Sequence, residues 1–303
     1  MKRVIISGAT GSVGMALVQE LIQHDIEVLI FCREGSMHNE RIPMHPQVTL
    51  KYCSLNQMES VANDTGKNYD VFYHFAWDGT TGEARNNMYL QNMNVKYSLD
   101  AVGAAHRFGC QTFIGAGSQA EYGRVEGTLK SDTPVFPESG YGIGKLCAGY
   151  MTKEYSHQFG MKHLWIRILS VYGPHDYEQS MIMSMILKLK QGITPQFTKG
   201  EQMWDYLCSD DAAVAFRLLG ESGVDAKTYV LGSGIARPLA DYIKDIHDIV
   251  NKDVKVELGT LPYEERQVMY LCADINELTK DVNWRPMVQF TTGIKKLVER
   301  MRL

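Results

Sequence analysis

The chain has 303 residues, 22% of them charged, with a formal net charge of -4; this length buries a large core and suits one main α/β domain with a smaller lobe. The slight acidic excess provides no basic surface for a polyanion, so no nucleic-acid partner is expected. Six cysteines (Cys32, Cys53, Cys110, Cys147, Cys208 and Cys272) fall without any CxxC spacing, so neither a metal site nor a disulfide framework is predicted, and a reduced, cytoplasmic protein is the simplest expectation.

From Met1 the chain runs through Lys2-Arg3 directly into the β-branched run Val4–Ile6. The sequence shows no secretory h-region and no apolar run of membrane length, which predicts no membrane association. A segment with apolar residues at helical spacing, Val13 to Ile22, follows, so the first unit reads as strand, tight turn and helix. Strands are then predicted over Glu27–Cys32, Val48–Cys53, Val71–Phe75, Thr112–Gly115 and His163–Arg167. The intervening segments are long enough for crossover helices. The expected fold is therefore α/β, a Rossmann-type doubly wound parallel sheet covered on both faces. After Gly173 the alternation stops and a Met-rich helix is predicted over Gln179–Gln191, followed by short strands and helices. We expect a dinucleotide-binding domain over 1–173 and a smaller C-terminal α/β substrate lobe over 174–303, with some of its segments returning to the first domain.

At the first strand-to-helix turn, Gly8-Ala9-Thr10-Gly11-Ser12-Val13-Gly14 has the spacing GxxGxxG. Three such glycines also suit any tight turn with close helix packing. Their place at the head of a βαβ series predicts that Gly8, Thr10, Gly11, Ser12, Val13 and Gly14 face a dinucleotide pyrophosphate at the helix N-terminus. NAD-selective sites place a carboxylate on the ribose hydroxyls at the end of the second strand. Here that position reads Cys32-Arg33, which favours NADP(H) over NAD(H), because a guanidinium is a good partner for a 2′-phosphate.

Tyr141-Gly142-Ile143-Gly144-Lys145 places a phenol and an ammonium one helical turn apart. With 16 tyrosines in the chain, such a pair arises easily by chance, so its weight comes from its surroundings. Upstream, Phe113 to Gly123 reads FIGAGSQAEYG and puts the Ser118 hydroxyl at a strand end; Pro137-Glu138-Ser139-Gly140 leads into the tyrosine helix. Further along the chain come His74-Phe75-Ala76, Asn94-Val95, Arg167 to Pro174 (RILSVYGP), Trp204-Asp205-Tyr206, Asp210-Asp211 and Trp284-Arg285-Pro286. In this order the motifs resemble the extended short-chain dehydrogenase/reductase family, in its branch of sugar-nucleotide epimerases, dehydratases and reductases, over nearly the whole chain.

The resemblance implies Ser118, Tyr141 and Lys145 as catalytic residues, with Tyr141 as the proton donor and Lys145 also holding the nicotinamide ribose. Phe75, Ala76 and Asn94 are implied at the cofactor. The family often carries Asp before Leu or Ile at the adenine; here the pair is Ser54-Leu55, a departure that weakens the expected contact. Dehydratases of the family have Asp-Glu after the catalytic hydroxyl residue, where this chain has Gln119 and Ala120, which cannot serve as acid and base. That leaves NADPH-dependent reduction of the carbonyl of a nucleoside-diphosphate 4-keto(-6-deoxy) sugar, or a nucleoside-diphosphate-hexose 4-epimerase with tightly bound NAD. A non-catalytic NADP-sensing protein is a third reading, opposed by the retention of Ser118, Tyr141 and Lys145 together.

For substrate contacts the sequence offers Trp77, Gln119, Trp204 and Arg266. Trp204 stands where many members have an arginine on the diphosphate, and Arg266 is a candidate for the missing charge. Apolar positions on the two central helices (Leu99, Val102; Leu146, Tyr150) suggest a homodimer through a four-helix bundle. His74 reads as a packed histidine rather than a catalyst.

Overall fold

The computed structural model describes residues 1–301. Strands β1 (Arg3–Ser7), β2 (Glu27–Cys32), β3 (Val48–Tyr52), β4 (Val71–His74), β5 (Thr112–Ser118) and β6 (Lys162–Ile168) alternate with α1 (Ser12–Gln23), α2 (Met88–Arg107) and α3 (Gly140–Gln158). Beyond them lie β7 (Ser170–Tyr172), α4 (Met181–Lys190), β8 (Met203–Trp204), β9 (Tyr206–Cys208), α5 (Ser209–Ser222), β10 (Lys227–Leu231), β11 (Arg237–Pro238), α6 (Leu239–Val250), α7 (Asn276–Val282) and α8 (Phe290–Arg300).

Seven strands form one parallel sheet in the order β10-β6-β5-β4-β1-β2-β3. The order reverses direction between β1 and β4, and in a doubly wound sheet the crevice at such a switch point is where a ligand binds. Central strands are apolar on both faces: Val4, Ile5 and Ile6 of β1 are fully buried, as a sheet covered by helices on each side requires. One face packs on α1 and α5, burying Leu17, Val18, Leu21, Phe216 and Leu219. The other packs on α2 through Ala101, Val102, Ala105 and Phe108.

The seventh strand, β10, comes from the region after Gly173, where the sequence shows only short strands and helices without a regular alternation. Lys227-Thr228-Tyr229-Val230-Leu231 is short, and its first two positions are only half-buried, so its apolar signal is weak. Helix α5 leads into it after packing against α1, and Leu278 and Trp284 from the last quarter of the chain join the same core. The remaining C-terminal elements make a separate core, in which Ile182, Met185, Ile186 and Leu189 of α4 meet Ile243 and Ile246 of α6 and Ile294 and Leu297 of α8. Asp205, at the root of this lobe and fully buried, accepts from the backbone N–H groups of Ser233, Gly234 and Ala273, tying β8–β9 to the end of the sheet.

Candidate active site

The glycine turn closes tightly on the neighbouring strand. Gly8 has φ +77°, and a side chain there would collide with the backbone of Phe75 and Ala76, so only glycine fits. A side chain at Gly14 would strike the Gly8 carbonyl and Ala9, which is how α1 packs against its own turn. No side chain caps the first turn of α1, which leaves N–H groups of that turn free for an anion. The turn opens on a groove of about 520 Å³ that includes Gly8, Thr10, Gly11, Arg33, Ser54, Leu55, Phe75, Ala76 and Trp77 in its lining. An uncapped helix end on an elongated groove at the switch point suits a dinucleotide pyrophosphate. Ser12 and Val13 follow at the start of α1.

Arg33 is exposed at one end of the groove, beside Ser36 and Asn39. Its carbonyl accepts from the Asn39 side chain at 2.8 Å, which folds the segment after β2 into a loop around the groove. Ser54 caps the short turn after β3 through a reciprocal arrangement with Gln57, and its hydroxyl also donates to Asn56 Oδ1 at 2.7 Å. Arg41, which sequence reasoning did not single out, donates to the Thr10 carbonyl at 3.2 Å and so brings a second cation to the glycine turn. Its position follows from the fold of the 33–41 loop and has no spacing signal.

Asn94 is buried on α2: its Oδ1 accepts from Asp78 N at 3.0 Å, and its Nδ2 donates to Asp78 O at 2.8 Å and to Gln91 Oε1 at 3.4 Å. One turn earlier, buried Gln91 donates to the carbonyls of Gly79 and Ala84, both at 2.9 Å, and accepts from Trp77 Nε1 at 2.8 Å. These two side chains shape the 77–86 loop after β4. Gln91 likewise escapes a motif search. His74 is fully enclosed, with Ser7 Oγ at 2.8 Å on one ring nitrogen and Ser98 Oγ at 3.3 Å on the other. Burial drives its pKa down to about 3, so it is a neutral packing residue.

Helix α3 starts at the Ser139 cap, whose hydroxyl accepts from Gly142 N at 3.1 Å, and the Gly140 N–H donates to Asn86 at 3.1 Å. Tyr141 and Lys145 thus enter from a helix pinned at its first turn. Burial raises the Tyr141 pKa; the adjoining Ser118 hydroxyl and then the Arg85 guanidinium draw it back down, and buried Glu121 opposes them. Lys145 donates to the Ala116 carbonyl at 2.7 Å and lies 3.8 Å from the centre of the Trp77 ring. Burial lowers its pKa to about 7, against a smaller raising effect of Glu121. Trp77 meets Tyr141 edge to face at 6.1 Å. Ser118, Tyr141, Lys145 and Trp77 are therefore one cluster at the ends of β4 and β5. Gln119 follows Ser118 in a short turn that Ser118 itself caps, its hydroxyl accepting from Ala120 N at 3.2 Å.

An acid does stand three residues past Ser118. Glu121 is fully buried and accepts from Ser118 N at 2.8 Å, Trp165 Nε1 at 3.0 Å and Arg167 Nε at 2.8 Å. With both oxygens occupied in an ion pair beneath the strand end, this carboxylate holds the Ser118 turn and is not presented to a ligand. Trp204 and Arg266 come from the C-terminal half of the chain. The Trp204 indole donates to Ser170 Oγ at 2.8 Å, and its half-buried ring packs against two apolar groups, one in the C-terminal lobe and one that includes Tyr122 and Leu129. Arg266 is exposed in the loop before Asp274, where its charge reaches Glu138 on the approach to α3.

A family model described as the NAD dependent epimerase/dehydratase family matches residues 4–232. The chain is 23% identical over 311 residues to a dTDP-4-dehydro-6-deoxyglucose reductase of Escherichia coli, covering 99% of this chain and 97% of that one. It is 25% identical over 178 residues to a dTDP-glucose 4,6-dehydratase of Shigella flexneri; that match takes in 55% of this chain and spans about half, 48%, of the dehydratase. Among solved structures, a UDP-N-acetylglucosamine 4-epimerase from Methanobrevibacter ruminantium M1, in complex with UDP-N-acetylmuramic acid, superposes with a TM-score of 0.87 at 23% identity, covering 99% of this chain and 98% of that one. The match of the family model over most of the sheet, from the glycine turn through Ser118, Tyr141 and Lys145 to β10, means that the chain belongs to the NAD dependent epimerase/dehydratase family.

Proposed function

We propose that this protein reduces the carbonyl of a nucleoside-diphosphate 4-keto(-6-deoxy) sugar with NADPH. The observation that carries the reading is the company of Ser118: Tyr141 and Lys145 stand beside it, while the acid of the segment, Glu121, is locked to Arg167, Trp165 and the Ser118 N–H. Elimination of water needs a free acid and base next to the sugar; carbonyl reduction needs a hydride and one proton. When bound, the reduced nicotinamide supplies the hydride. Tyr141 donates the proton to the carbonyl oxygen as it becomes an alkoxide, and Ser118 donates a hydrogen bond to the same oxygen. Lys145 is the buried cation beside the phenol, and its charge stabilises the phenolate left behind. Arg33, exposed on the groove with no acidic ion-pair partner among the described residues, supports a 2′-phosphate and hence NADP(H).

The test mixes the purified protein with NADPH or NADH and a panel of nucleoside-diphosphate 4-keto-6-deoxy sugars, following nicotinamide absorbance. Preferential consumption of NADPH with at least one sugar is expected. Tyr141→Phe should lower turnover by about 10²–10⁴-fold, the usual weight of a positioned acid, while still binding NADPH. No consumption, together with copurifying NAD and interconversion of two hexose isomers, would replace this reading with a 4-epimerase.

A homodimer through α2 and α3 forms part of the proposal. Val102 faces the protein's own core and adds nothing to an outer face, and Leu99 and Leu146 are only partly exposed. The exposed apolar residues are instead Met88, Tyr89 and Met93 on α2 and Ile143, Tyr150 and Met151 on α3. Exposed apolar side chains on two adjacent helices support an interface there, since a monomer seldom leaves much apolar surface open.

A further inference from the structure

We propose that Arg85 is a second cation of the active site, a positioning residue that holds the Tyr141 ring and offsets the negative charge developing on its oxygen as the proton leaves. The inference rests on Tyr141 being the proton donor. Its basis is geometric. The Arg85 guanidinium carbon lies 4.3 Å from the centre of the Tyr141 ring, whereas the Lys145 ammonium is 5.8 Å from it. Lys145 is turned towards the Trp77 face and the Ala116 carbonyl, so in this geometry Arg85 is the nearer cation.

The placement is built rather than incidental. Arg85 sits in the short 3-10 turn Glu83–Asn86, donates from Nη1 to the Thr80 carbonyl at 2.9 Å, and precedes Asn86, which accepts from Gly140 at the first turn of α3. Gln91 clamps the same loop at Gly79 and Ala84. Arginine is suited to the task because its planar, weakly hydrated guanidinium stacks on an aromatic face and keeps its charge at every working pH. A cation over the ring attracts a phenolate more strongly than a phenol, since the ring then carries a net charge as well as its quadrupole.

The charged groups facing Tyr141 are Lys145 on its own helix, Arg85 on the 3-10 turn and Glu121 after β5; the uncharged Ser118 hydroxyl and the Trp77 edge complete its surroundings. Glu121 disfavours the phenolate, and its charge is already shared with Arg167. Loss of Arg85 leaves Lys145, whose own ammonium loses its proton near neutrality, as the remaining counter-charge.

The test uses the full chain with a difluorotyrosine incorporated at position 141, whose phenol titrates near neutrality and is read by fluorine NMR without interference from the other tyrosines. Arg85→Gln should raise its midpoint by about one pH unit, a tenfold change in the ionisation constant. Arg85→Lys, which keeps a charge but not the planar stack, should raise it by less. With unmodified Tyr141 and an accepted sugar, the alkaline limb of kcat/KM for reduction should move up in Arg85→Gln by the same amount, because the acid must be protonated. An unchanged NMR midpoint in Arg85→Gln overturns the inference even if turnover falls. A shifted midpoint in a protein that reduces none of the sugars upholds the Arg85–Tyr141 coupling and overturns the reductase reading alone.

Discussion

Lys145 is 3% exposed, and an ammonium ion in that position is a cost to folding that the proposed chemistry requires. Burial moves its pKa from the usual 10.5 to about 7, so between those values the unfolded chain binds a proton that the native chain does not. Stability contributed by this position therefore rises with pH from about 7 to 10.5, and the full penalty is felt at pH 7 and below. Lys145→Met, similar in length and uncharged, should abolish turnover yet stabilise the ligand-free protein at pH 7 by on the order of 4 kcal/mol. The gain should shrink towards zero near pH 10. Denaturant unfolding of both proteins at pH 7 and pH 10 checks this, and a variant less stable than the parent at pH 7 would show that the bond to Ala116 and the Trp77 contact outweigh the desolvation.

The candidate residues most readily read from the sequence are those whose setting is local. Gly8, with a positive φ and a backbone neighbour where a Cβ would be, carries its reason in the turn itself; Ser118 and the Tyr141–Lys145 pair sit at a strand end and on a helix turn. Arg85, Gln91, Arg41 and Glu121 were not legible, because each acts through a partner distant in sequence. Glu121 finds Trp165 and Arg167 across two parallel strands, a pairing that no spacing rule contains. Trp204 also has a partner that no spacing announces: its indole donates to Ser170, and its half-buried ring packs against two apolar groups.

At the level of elements, the first six sheet strands were legible because each is a compact apolar run between turn signals. β10 was not, since Lys227 and Thr228 interrupt the pattern at a sheet edge. Helix α3 shows how one element carries two surfaces. Gly142, Lys145, Ala148, Gly149 and Thr152 are buried and let the helix approach β5 and β6 closely, while Ile143, Cys147, Tyr150 and Met151 form an outward stripe at spacings of three, four and seven. Alongside it, Leu99, Gly103 and Arg107 of α2 border a cavity of about 700 Å³ with Tyr150, Met151 and Tyr155. Light scattering of the eluting protein should give twice the mass of one chain. The double substitution Tyr150→Lys, Met151→Lys places two charges on an exposed face and should convert dimer to monomer with little change in unfolding free energy, since exposed positions usually shift stability by less than about 0.5 kcal/mol. A persistent dimer in that variant would move the interface elsewhere.

Across the whole molecule, two neutral histidines join the central helices to the sheet. His74 on β4 bonds Ser7 of β1 and Ser98 of α2; His163 on β6 bonds Thr152 of α3 at 2.9 Å and stacks with Phe113 and Trp165. Burial pushes both pKa values down to about 3 from the usual 6.5. Between pH 6.5 and 3 the unfolded chain takes up protons at these positions that the native chain refuses, so stability falls as pH falls through that window, by about 1.4 kcal/mol per pH unit for each histidine. Asp205 and Asp211 work in the opposite sense, because burial raises their pKa values and the native state takes up their protons first. The histidines should therefore govern the upper part of the acid limb. Urea unfolding between pH 7 and pH 5 should show the decline, to which His175, its pKa also lowered by burial, adds; His163→Phe, which keeps the aromatic stack but cannot titrate, should make the slope clearly shallower even if its stability at pH 7 is lower. An acid limb in His163→Phe parallel to that of the parent would mean that the decline arises elsewhere, and that the two histidines accept protons without leaving their places in the core.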